Sequence, residues 1–103
     1  MQKYRLLIHG RNLLTEVEGV RKKVGFFTTV HLEAFTPTEA ETTAIELLKK
    51  DPHLSEIRFN REDDPLILLV DKTQEIETFD GLQLPRTGLS LYEEKAVASK
   101  PAT

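Results

Sequence analysis

The chain contains no cysteine. That absence removes disulfides, thiolate zinc sites, iron–sulfur clusters and cysteine nucleophiles together. A small domain that folds without disulfides belongs in a reducing compartment. Long apolar runs are missing as well. Nothing approaches the roughly 20 apolar residues needed to span a bilayer. The opening Met1-Gln2-Lys3-Tyr4-Arg5 leads only into Leu6-Leu7-Ile8, short of a signal peptide's apolar segment. The expected location is therefore cytoplasmic, with no membrane partner. An excess of positive charge is also lacking. The formal net charge is -3, so the overall field does not favour capture of nucleic acid.

Motifs that carry chemistry are equally sparse. The glycines form neither a P-loop nor a dinucleotide fingerprint, and no H-E-x-x-H is present. Ser55, Ser90 and Ser99 stand outside any nucleophile-elbow context. Glu62-Asp63-Asp64 lacks the spaced acidic positions and central Gly of a calcium loop and reads as a solvated turn. No catalytic, cofactor-binding or metal-ligating residue is assigned, no cofactor is called for, and the reading leans away from an enzyme.

What the chain does contain is patterning. Its 103 residues suffice for one compact domain, and 39% hydrophobic with 30% charged residues suits a globular protein. Glu18-Gly19 marks a hairpin turn. On its far side Val24 to Phe35 is rich in strand-favouring Val, Thr and Phe. Centring the turn on Gly19 pairs Leu14 with Val24, Ile8 with Val30, Leu6 with Leu32 and Tyr4 with Ala34, all on one face. It also sets Arg5 against Glu33 and Glu16 against Lys22.

Thr36-Pro37-Thr38-Glu39 then supplies an N-cap, a Pro at the first helical position and a Glu three residues after the cap. Ala40, Ala44, Leu47 and Leu48 follow at helical spacing, and Pro52 stops the helix near Lys50. Leu54 to Asn60 alternates like a strand. Leu66 to Val70 reads as a central strand buried on both faces, Thr73 to Phe79 as an edge strand, and Leu89 to Tyr92 as a last short strand. The expected fold is α+β: a twisted, mostly antiparallel sheet in the order β-β-α-β-β-β, with one amphipathic helix on one face. Residues 1–93 form the single domain, and 94–103 read as a flexible tail.

The odd-numbered side chains of the first two strands should face away from the helix. Leu7, Leu13, Phe27 and Phe35 lie there among polar residues, and an exposed apolar patch marks a contact surface. Leu7, His9, Phe27, Thr29, His31 and Phe35 are the expected interface residues. The leading function is a non-enzymatic interaction or regulatory module that self-associates, with a homodimer the simplest assembly. One alternative is a small-molecule-binding domain or enzyme that uses His9, His31, Arg5 and Glu33, the two histidines being diagonal neighbours in this register. Another is nucleic-acid binding through Arg21, Lys22 and Lys23 at the hairpin tip, with Arg11 nearby; without an aromatic platform beside it this cluster reads first as a solvated tip.

Overall fold

In the computed structural model, which describes residues 1–94, strand β1 (Gln2–Val17) turns directly into β2 (Val20–Ala34). Glu18 and Gly19 take φ of 52° and 81°, the sign pattern of a type I′ turn, and Val17 pairs with Val20 across it. The turn is therefore one residue tighter than a loop centred on Gly19. A second shift occurs at Asn12, where β1 carries a bulge between Gly10 and Leu13. Asn12 has φ of 62°, a left-handed conformation that asparagine tolerates better than most side chains.

These two features correct the expected pairing. Ile8 faces Thr28, Leu6 faces Val30, Tyr4 faces Leu32 and Leu14 faces Lys23. Glu33 lies opposite Lys3 and forms its ion pair there at 3.5 Å, while Arg5 faces His31 and Glu16 faces Arg21. Tyr4, Leu6 and Ile8 still point to the helix side, as expected. Beyond the bulge the parity of β1 switches, so Leu13 and Thr15 are buried. Leu13 accordingly belongs to the core and not to the helix-free face.

Helix α1 (Pro37–Lys49) begins as its cap predicts. Thr36 Oγ1 accepts from Glu39 N at 3.1 Å, and Glu39 Oε1 accepts from Phe35 N at 2.7 Å. Ala40, Ala44 and Leu48 line its buried face. Their small size at the first two positions lets the helix lie close on Leu6, Ile8, Phe26 and Val30, the fully buried centre of the core.

The segment expected as a strand from Leu54 to Asn60 is instead a second helix, α2 (Pro52–Ile57). Asp51 is its N-cap, accepting from Leu54 N at 3.0 Å, and Pro52 occupies the first turn, where a missing N–H costs nothing. The same carboxylate grips Arg86 through Nε at 2.7 Å and Nη2 at 3.1 Å, both side chains being only 10% exposed.

The two stretches expected as separate strands at 66–70 and 73–79 form one strand, β3 (Ile67–Ile76), with a pairing shift at Asp71. It lies at the sheet edge, not at the centre: the order is β3-β1-β2-β4, antiparallel throughout. Ile67 and Leu69 are consequently exposed. β4 (Ser90–Glu93) closes the other edge against Val24–Phe27. The antiparallel α+β class thus holds, with a helix replacing one expected strand. The expected tail lies, apart from Glu94, outside the described residues.

Two tests follow from these contacts. Asn12→Gly should keep the left-handed backbone but lose its side-chain bonds, at about 2 kcal/mol, and Asn12→Ala should cost about 1 kcal/mol more, both read by urea unfolding. Asp51→Ala should cost about 3 kcal/mol, because it strands the buried guanidinium of Arg86 and removes a cap. The hydrogen-bonded Arg86 holds the Asp51 carboxyl below its usual range, against the opposing effect of burial. The stability gap between wild type and Asp51→Ala should stay constant from neutral pH down to about pH 4 and close below it, as the native carboxylate is protonated.

Candidate functional site

The helix-free face is built in rows across the sheet. Leu69 of β3, His9 of β1 and Phe27 of β2 are cross-strand neighbours in one row. The His9 and Phe27 rings stack with centroids 4.4 Å apart and an interplanar angle of 13°. Leu7 and Thr29 form the next row, both half-buried. Leu69 is 39% exposed, so among the described residues the row runs to the sheet edge without a cover.

Tyr92 completes the cluster from β4. Its ring lies over Gly25, where a β-carbon on that residue would overlap it, so the glycine makes room for the aromatic. The ring sits 5.8 Å from Phe27 and 5.7 Å from His9 between centroids, and its hydroxyl hydrogen-bonds His9 Nε2 at 2.5 Å. The polar tips of both rings are thereby paired with each other. Tyr92 remains 37% exposed.

The expected interface residues divide at this point. Leu7, His9, Phe27 and Thr29 share the open part of the face. His31 is buried, 5% exposed, beneath the chain that leads into β4. Its Nδ1 bonds Gln83 O at 2.8 Å, its N donates to Pro85 O at 2.8 Å, and Phe79 packs against the ring. Phe35 lies past the end of β2 at the step into α1 and is 64% exposed, apart from the row. Tyr92 and Leu69 were not singled out from sequence: both reach the face through pairings between distant segments.

The histidine constellation does not assemble. His9 and His31 are separated by the row of Leu7 and Thr29. Glu33 is engaged with Lys3. Among the described residues no group of three or more His, Asp or Glu side chains could hold a metal ion.

The basic hairpin tip is partnered from within the chain. Lys22 pairs with Glu93 at 3.0 Å and Lys23 with Asp64 at 2.6 Å. Arg21 stacks over Phe59, 4.2 Å from its centroid. The hydrogen bonds of Lys23 and Asn12 hold the Asp64 carboxyl below its usual range.

No helix among the described residues is long and apolar enough to cross a membrane. No protein-family model, no curated protein and no solved structure matches the chain.

Tyr92→Ala should open the cover over Gly25 and cost about 1 kcal/mol through the lost aromatic contacts. Amide hydrogen exchange should rise selectively in residues 90–93, while the paired centre of β1 and β2 keeps its protection.

Proposed function

We propose that the protein is a small non-enzymatic interaction module that self-associates by laying the helix-free faces of two copies together. The observation that carries this reading is the open row of Leu69, His9 and Phe27, flanked by Leu7 and Tyr92, on one side of a four-stranded sheet. Helices α1 and α2 lie on the other side, and among the described residues the segment 79–85 packs on the sheet around His31 and Lys3.

A second copy suits this face. Twofold pairing brings a self-complementary patch against itself, and two sheets stack face to face about 10 Å apart. The hydrogen bond between His9 Nε2 and Tyr92 lets that ring nitrogen and the tyrosine hydroxyl lose water with a partner in place. The absence of cysteine is consistent with work in a reducing compartment such as the cytoplasm. The basic tip, paired to Glu93 and Asp64, is left as a solvated end and not as a nucleic-acid contact.

Sedimentation equilibrium at high micromolar concentration should give the mass of a dimer. Phe27→Asp should raise the dissociation constant by about 100-fold, because it sets a charge in the centre of the contact, while circular dichroism shows an unchanged fold. A wild-type monomer throughout the concentration range would overturn the proposal.

A further inference from the structure

A groove with a cavity volume of about 710 Å³ opens on the opposite side of the sheet, between β3, α1 and the link that follows α2. Its floor is apolar: Ile45 of α1 with Leu66 and Leu68, all packed on the margin of the core. Its rim is cationic, with Lys49 at the end of α1 and Arg58 and Arg61 in the link after α2. Among the described residues Lys49 and Arg58 enter no ion pair, and Arg61 pairs only with the exposed Asp63 at 3.5 Å. Glu62 is the single acidic residue of the lining. A chain of net charge -3 therefore gathers three cations around one apolar groove.

The groove adjoins a sheet edge that is free among the described residues. Ile67 and Leu68, the first residues of β3, belong to its lining, and β3 is the outermost strand, paired on one side with β1. An unpaired edge presents a row of backbone donors and acceptors to any extended chain that reaches it. The pairing shift at Asp71 interrupts the regular strand beyond Val70, which leaves Ile67–Val70 as the stretch fit for pairing.

We propose that this groove and edge bind an extended acidic peptide segment of a partner protein. The segment adds as a short strand along Ile67–Val70. The side chains on its groove side are apolar at the centre, over Ile45, Leu66 and Leu68, and acidic at the ends, against Lys49, Arg58 and Arg61. Backbone pairing supplies the affinity common to strand addition, and the basic rim supplies selection by charge. The face used for self-association lies on the other side of the sheet and shares Leu69 with this edge, so the Phe27→Asp variant serves to tell the failure of one surface from that of the other.

The test is a ¹⁵N NMR titration of the full chain at low salt with a blocked heptapeptide, Glu-Thr-Val-Thr-Val-Thr-Glu, whose valines and glutamates share one strand face. It is run on wild type and on Phe27→Asp. Shifts should concentrate in residues 58–70, with slowed exchange of the outward amides of Ile67–Val70, and be the same in both proteins. The double variant Lys49→Glu with Arg58→Glu should bind at least about tenfold more weakly with an unchanged melting curve. A lysine–valine peptide, with lysine in place of both glutamates, should produce no shifts. The proposal is overturned by an absence of shifts with the acidic peptide, by equal binding of the lysine–valine peptide, or by undiminished binding to the double variant. It is also overturned if octanoate gives the same shifts and the peptide adds no protection to β3, since the groove would then be a site for small anions.

Discussion

Asn12 is the residue on which most of the arrangement converges. Its left-handed backbone inserts the bulge that switches β1 from one face parity to the other. Its side chain donates to Asp64 Oδ1 and Pro65 O and accepts from Lys23 Nζ, while its own amide donates to Glu94 and its carbonyl accepts from Asn60. One position thus ties the hairpin to the link before β3 and to the end of β4. Without that break, Leu13 and Thr15 would turn out of the core, because a shift of one residue in a strand exchanges its two faces. The row of Leu69, His9 and Phe27 and the groove beside β3 both depend on the strand positions this hub holds.

Part of this was legible in the chain itself. Thr36, Pro37 and Glu39 carry their own reason for a helix start, since cap, ring and carboxylate act within four consecutive residues. The hairpin turn at Glu18-Gly19 is local in the same sense. The Asp51-Pro52 step bears the same cap-and-proline signature, yet Pro52 reads more readily as the end of α1 than as the start of α2. Ile57 and Phe59 alternate, and six helical residues are too few for periodicity to decide between helix and strand.

The remainder was fixed by contacts between distant segments. Leu66 to Val70 has the unbroken apolar character of a strand covered on both faces, but four strands and one helical layer leave it at the edge. The burial of His31 depends on Gln83 and Pro85, and the place of Tyr92 depends on β4 reaching back to Gly25. The bulge at Asn12 gives little warning in a sequence, because asparagine is also an ordinary residue of exposed strands. The correct face for Leu7, His9 and Phe27 survived the misplaced register because the error in that stretch was two residues, which preserves parity.

The most direct measurement is the pattern of cross-strand nuclear Overhauser contacts between β1 and β2, together with the sign of φ at Asn12. The account predicts His9 opposite Phe27, Leu13 opposite Val24, and a positive φ at Asn12. Contacts that place His9 opposite Thr29 and Leu14 opposite Val24 across an unbroken strand would contradict it.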